Sequence, residues 1–186
     1  MKIGNSIFKI SILFCFGLLF SYAAIAQYTP PIVTLTFNPN PVTIGQNSTF
    51  TWAASNYAVG CNGTPTTAIS GTKVYPITTT TDWTYTVTCY GPGGNTTRSI
   101  VLKVLPANPA SFTSSMSGNS VSLSWASAPG ATGYQVYRGT TLIGSPAGTG
   151  LTDSSVSVGV TYSYSVKACN ANGCSGGASS SITIPS

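Results

Sequence analysis

From residue 31 onward the chain alternates. Thr, Ser, Val and Tyr follow one another in short runs, and Gly, Pro and Asn interrupt them about every 8–12 residues. No stretch carries the 3.6-residue period of an amphipathic helix. A period of two places successive side chains on opposite faces of a sheet, so the pattern predicts short, half-buried strands. Ile32-Val33-Thr34-Leu35-Thr36-Phe37 reads as the first of them, Asn38-Pro39-Asn40-Pro41 turns the chain, and Val42-Thr43-Ile44 continues it. From Ser48 to Ala54, Phe50 and Trp52 share one face, and a shorter strand covers Lys73 to Ile77. Trp83, Tyr85, Val87 and Cys89 line one face of a strongly alternating strand; Gly91-Pro92-Gly93-Gly94-Asn95 is a turn, and Ser99 to Leu105 closes the unit.

Pro106-Ala107-Asn108-Pro109 interrupts the pattern. Two prolines in four residues fix φ and remove backbone donors, which predicts a stiff linker crossed by few contacts. Beyond it the alternation resumes. Val121, Leu123 and Trp125 lie on one face; Tyr134 and Val136 follow, with Arg138 in phase; Tyr162, Tyr164, Val166 and Ala168 form a late inward face. Asn170-Ala171-Asn172-Gly173 is a hairpin turn with an Asn-Gly signal, and Ala178 to Ile184 is the last strand. The chain is therefore expected to be all-β: two tandem Greek-key β-sandwiches over residues 30–105 and 110–186, joined by a linker at 106–109. In this reading Trp52, Trp83, Trp125, Tyr85 and Tyr162 face the two cores, and Gly148-Thr149-Gly150 is a loop.

Residues 1–26 read differently. Lys2 and Lys9 precede a short apolar run from Ile10 to Phe20, and Ala24-Ile25-Ala26 is an A-x-A site. This is the pattern of a secretory signal cleaved before Gln27. The run is about half the roughly 20 apolar residues that a spanning helix needs, so the mature chain is not expected to be membrane-embedded. The expected location is secreted, periplasmic or at the cell surface of a bacterium.

Composition narrows the chemistry. There is no His and no Glu, and the only acids are Asp82 and Asp153, 71 positions apart. Neither a Ser-His-Asp nor a Cys-His site has a base, a paired-carboxylate site would need both aspartates, and imidazole-ligated zinc cannot be built. One carboxylate is little for calcium, which takes six to eight oxygens. No enzyme, metal or cofactor is expected. Once Lys2 and Lys9 are removed, Lys73, Arg98, Lys103, Arg138 and Lys167 stand against two acids, for a net charge of +3. They are scattered and form no phosphate-binding stripe, so nucleic acid is not an expected partner.

Four cysteines follow the leader: Cys61, Cys89, Cys169 and Cys174. Three pairings are possible. Two cross the proline linker; the third, Cys61–Cys89 with Cys169–Cys174, keeps each bridge inside one sandwich. Export favours disulfides over a metal site, and no C-x-x-C occurs.

Particular motifs sharpen the architecture. Thr51-Trp52, Cys61, Thr84-Tyr85-Thr86-Val87-Thr88-Cys89 and Gly93-Gly94 make the first unit resemble bacterial immunoglobulin-like repeats. It departs from antibody domains in having Phe50 where a strand-B cysteine would sit, and Tyr85 matches the tyrosine-corner position only loosely. The second unit is similar to a fibronectin type III module. Val121-Ser122-Leu123-Ser124-Trp125 matches strand B, Gly133-Tyr134-Gln135-Val136-Tyr137-Arg138 matches strand C, and the run from Gly159 to Ala168 matches strand F, with Tyr162 at the corner. The resemblance implies spacer or accessory modules and no single activity, because fold does not fix function.

Tyr28, Tyr57, Tyr75, Tyr90 and Tyr137 are surface candidates. Tyr57 and Tyr90 flank Cys61 and Cys89 and are the best candidate binding residues, with scattered surface tyrosines as the plain alternative. The expected role is a secreted, non-catalytic binding or adhesion-type module that contacts protein or glycan through loops. The alternative is a structural or accessory spacer with no ligand of its own.

Overall fold

The computed structural model describes residues 28–186; the leader over 1–26 and the cleavage point before Gln27 lie outside the described residues. Those described form no α-helix and build two tandem β-sandwiches. The first contains β1 (Val33–Asn38), β2 (Val42–Thr43), β3 (Asn47–Ala54), β4 (Gly60–Asn62), β5 (Ser70–Pro76), β6 (Trp83–Gly91), β7 (Gly94–Leu102) and β8 (Val104–Leu105). One sheet has the order β1-β3-β5 and the facing sheet β4-β6-β7, while β2 pairs in parallel with β8. The second contains β9 (Thr113–Ser117), β10 (Ser120–Ser124), β11 (Gly133–Arg138), β12 (Thr141–Gly144), β13 (Gly150–Asp153), β14 (Thr161–Asn170) and β15 (Gly173–Thr183). Its sheets have the orders β13-β10-β9 and β12-β11-β14-β15.

Alternation decides which side chains meet between the sheets. In β3, Ser48, Phe50 and Trp52 point inward. Phe50 is fully buried and lies opposite Phe37 of β1, with their rings 5.0 Å apart. From the facing sheet, the Tyr85 ring reaches to 4.4 Å of Phe50. Trp52 stacks on Phe50 at 5.6 Å and donates its Nε1–H to Ala68 O at 3.0 Å. Its ring covers Gly71, where a Cβ would stand 2.5 Å from the indole. Cys61 of β4 and Cys89 of β6 are directly opposite one another, fully buried and disulfide-bonded, with Cα atoms 4.0 Å apart. The bridge joins neighbouring strands of one sheet. It closes a segment of 28 residues, which restricts the unfolded chain by about 3–4 kcal/mol in the chain-entropy picture.

The second core centres on Trp125, whose ring is 5.4 Å from Tyr134 and 6.1 Å from Phe112. Tyr134 Oη accepts the Ala128 N–H at 2.9 Å. Tyr162 Oη accepts the Ser157 N–H, five residues upstream, at 3.0 Å, which is the tyrosine-corner arrangement. Trp125 Nε1 has no acceptor, and an unpaired buried donor costs about 1–3 kcal/mol.

The segment at 106–109 differs from expectation. Pro106 and Pro109 are buried, and Ala107 N–H donates to Pro129 O at 3.0 Å. The tip of the β14–β15 hairpin, stapled by Cys169–Cys174, docks against the first sandwich. Asn170 Nδ2 donates to Val104 O at 2.8 Å, Asn172 Nδ2 donates to Asp82 Oδ1 at 2.6 Å, and Lys103 Nζ donates to Asn172 Oδ1 at 3.2 Å. Proline removes a donor, which suits a segment without a ladder partner, but its ring is apolar and is buried when another surface is at hand.

Two outcomes follow from this packing. Trp125→Ala should cost about 3–5 kcal/mol by opening a cavity, whereas Trp125→Phe should cost well under half of that because it also removes the orphaned donor; chemical denaturation monitored by circular dichroism compares them. Calorimetry should give one unfolding transition for the wild type and two resolved transitions for Asn172→Ala, because the replacement removes three inter-sandwich hydrogen bonds.

Candidate functional site

The end of the first sandwich remote from the second is built on a glycine-rich hairpin. β6 and β7 meet at Gly91 and Gly94, with Pro92-Gly93 between them. The backbone of Tyr28 and Thr29 lies directly on Gly93, where any side chain would collide with it. A Cβ on Gly91 would come within 2.6 Å of Tyr57 O. The two glycines therefore admit two other backbones and set Tyr28 beside Tyr57. Their rings meet edge-to-face, with centroids 5.0 Å apart and an interplanar angle of 79°. Tyr57 is 68% exposed and Tyr28 44%.

The turn that presents Tyr57 is strained. Asn56 and Tyr57 both lie in the left-handed region, with φ of 56° and 60°. Asn tolerates this conformation, but a bulky residue is an outlier there, at about 1–2 kcal/mol. Such outliers cluster at functional sites. Asn56 Nδ2 reaches Thr29 Oγ1 at 3.5 Å and ties the strained turn to the segment that carries Tyr28. Exposed Val59 and Ile32 lie at the same end, held by Val59 N–H to Tyr90 O at 2.9 Å and Ser55 N–H to Ile32 O at 3.0 Å.

Tyr57 and Tyr90 thus come to one end of the molecule, but differently. Tyr90 is half-buried and its ring lies against Gly60, where a Cβ would stand 2.5 Å from Oη. Tyr28 is the ring that accompanies Tyr57, and the sequence signal for it was the glycine pair that lets its backbone approach. Of the other surface candidates, Tyr137 donates its hydroxyl to Gln135 Oε1 at 2.8 Å, and Tyr75 is half-buried with its hydroxyl 3.2 Å from that of Tyr85. Burial first, and then the hydrogen bond to Tyr75, raise the Tyr85 hydroxyl to about 12. Trp83, expected in the core, is 36% exposed. It opens β6 at the opposite end, where the inward phase runs out to the rim of the sandwich.

Both acids are engaged in structural contacts. Asp82 Oδ1 accepts the Val104 N–H at 2.9 Å as well as Asn172 Nδ2. Asp153 is buried. Its Oδ2 accepts Arg138 Nη1 and the Tyr164 hydroxyl, each at 2.9 Å, and its Oδ1 accepts the Ser155 N–H at 3.0 Å. Arg138 also sits 5.4 Å above the Tyr162 ring. Burial pushes the Asp153 carboxyl upward, but the Ser155 N–H, the Tyr164 hydroxyl and the Arg138 charge outweigh it and hold Asp153 below the ordinary carboxylate range. Burial and the Asp153 bond push the Tyr164 hydroxyl far up. Among the described residues no three His, Cys, Asp or Glu side chains gather as a metal site would require.

No protein-family model matches the chain. Chitinase A1 of Niallia circulans is 30% identical over 174 residues, which cover 82% of this chain and 23% of that protein. An alpha-amylase of Niallia circulans is 40% identical over 82 residues, covering 42% of this chain and 6% of the amylase. Exoglucanase B of Cellulomonas fimi is 28% identical over 192 residues, with 86% and 17% covered. The chain thus spans less than a quarter of the length of the curated relatives it matches. A two-domain fibronectin type III segment of chicken tenascin superposes on 81% of this chain and 98% of its own, with a TM-score of 0.52 and 13% identity. That likeness concerns the fold, which is fibronectin type III-like.

The Asp153 cluster yields a pH dependence. Its folded pKa is depressed, so its contribution is full above the unfolded value of about 4 and is lost as pH falls through the lower folded value. Stability should therefore decline below about pH 4. Asp153→Asn should flatten that decline and cost about 3 kcal/mol at neutral pH, because it leaves Arg138 partly buried without its counter-charge. Urea denaturation at stepwise pH measures both.

Proposed function

We propose that this protein is an exported, non-catalytic module that binds neutral polysaccharide through the Tyr28–Tyr57 platform. The observation that carries the reading is an exposed aromatic pair, held on a strained turn above two glycines that permit no side chain. Rings fixed in this way lose little freedom on binding, and tyrosine offers an apolar face with a polar edge. The chitinase, the amylase and the exoglucanase are named for activities on polysaccharides, and this chain matches only a minor part of each. The sandwich surfaces fit such a ligand. They carry paired hydroxyls, Thr86 with Ser99, Thr88 with Thr97 and Thr161 with Thr183, each pair 2.8 Å apart, and few charges. Two disulfides suit an oxidising, extracellular compartment. We read the first sandwich as bacterial immunoglobulin-like, supported by its parallel β2–β8 pair, and the second as a fibronectin type III module, supported by the Tyr162 corner.

A second reading, a spacer with no ligand, is favoured by the Asp82–Asn172 junction, which suits a stiff rod. Co-sedimentation with insoluble chitin, starch and cellulose separates the two. The wild type should be depleted by at least one polymer, equally at low and high salt because a neutral ligand is not screened. A Tyr28→Ala, Tyr57→Ala variant should melt like the wild type and bind about tenfold more weakly or worse. A wild type left in solution by all three polymers leaves the spacer reading standing.

A further inference from the structure

We propose a second ligand site at the other end of the first sandwich, where one neutral sugar ring stacks on Trp83 and donates a hydroxyl to Asp82 Oδ2; the ligand class rests on the reading above. Residues 76–79 and 81–83 line a cavity of about 320 Å³, at the small end of the range for ligand pockets and suited to a single ring. Trp83 is its aromatic wall. The indole is braced by Tyr75 at 5.1 Å and Tyr85 at 5.5 Å, both edge-to-face, and by Phe37 at 6.4 Å. A rim tryptophan held by three rings is pre-ordered for stacking.

The polar groups select the ligand. Asp82 Oδ1 is engaged by Val104 and Asn172, whereas Oδ2 has only Lys103 Nζ at 3.9 Å, beyond hydrogen-bond length. Oδ2 is thus an open acceptor on a half-exposed carboxylate, and a hydroxyl donated to it makes a charge-assisted bond. The carboxylate disfavours an anionic ligand, and the neighbouring Lys103 disfavours a cation. Thr79 and Thr81 hydroxyls, 3.1 Å apart, brace the loop and add hydroxyl capacity at the rim. A neutral ring with one apolar face and several hydroxyls meets all of these conditions.

Trp83 begins β6 and Gly91, which admits the backbone of Tyr57, ends it, so the two platforms lie at opposite ends of one strand.

The test uses the tryptophans. Trp52 and Trp125 are 3% and 5% exposed, so acrylamide quenching of the whole chain's fluorescence reports on Trp83. Chitohexaose, cellohexaose and maltohexaose are the probes. At least one should protect the wild type from quenching. Asp82→Asn, which keeps an Oδ1 acceptor for the junction, should melt as a single unit and show protection weakened about tenfold. The Tyr28→Ala, Tyr57→Ala variant should keep full protection, which separates this site from the first. The proposal is overturned if none of the hexaoses protects Trp83, or if Asp82→Asn is protected as well as the wild type. Polymer binding that persists in either case would leave the Tyr28–Tyr57 platform intact as the only site.

Discussion

The carboxylate of Asp82 holds the molecule together at its middle. Its Oδ1 accepts from Val104 of the first sandwich and from Asn172 at the hairpin tip of the second. Hydrogen bonds to a charged acceptor contribute about 1.5–3 kcal/mol each, more than the neutral bonds elsewhere on the surface. With Asn170 on Val104 O and Pro106 buried beneath, this contact sets how the second sandwich stands on the first. It also anchors the loop that leads into β6, where Trp83 stands at the rim of the first sandwich.

Scarcity of charge gives that contact its weight. Both acids serve the architecture: Asp82 between the sandwiches, and Asp153 inside the second, where Arg138, Tyr164 and Ser155 satisfy it. Elsewhere the strands meet solvent mainly through serine and threonine, with a few exposed apolar and basic side chains such as Val74, Leu142 and Arg98. Hydroxyl pairs across strands stabilise modestly and leave a surface with little long-range field, so electrostatic steering of a partner is weak. What such a surface presents is shape, aromatic faces and short hydrogen bonds, and exposed rings stand at both ends of the first sandwich, Tyr28 and Tyr57 at one and Trp83 at the other.

The strands with strong alternation were legible. β3, β6, β10 and β14 each place apolar residues at every second position, and the buried faces carry Phe50, Val87, Leu123 and Val166. β9, β12 and β13 were not legible. Thr113–Ser117 and Thr141–Gly144 bury no residue fully, and Gly150–Asp153 starts inside what reads as a loop. These strands exist because a neighbouring strand offers them backbone partners, as Val121 pairs with both Met116 and Asp153. Trp83 shows the converse. Its phase is inward, but phase says nothing of where the facing sheet stops.

By itself the sequence determined the all-β class, the inward faces, and the few residues able to carry charge or form bridges, because side-chain period and composition are local properties. It marked Tyr57, since a tyrosine outside the alternation and beside Cys61 has no core to enter. Only the tertiary structure decided that Tyr28 joins Tyr57, that the Tyr90 ring lies against Gly60, and that the proline segment is a buried junction. Each of these depends on two segments far apart in the chain meeting at a glycine, a carbonyl or a ring. That meeting is set by how the sheets end and which backbones can approach, and no single segment encodes it.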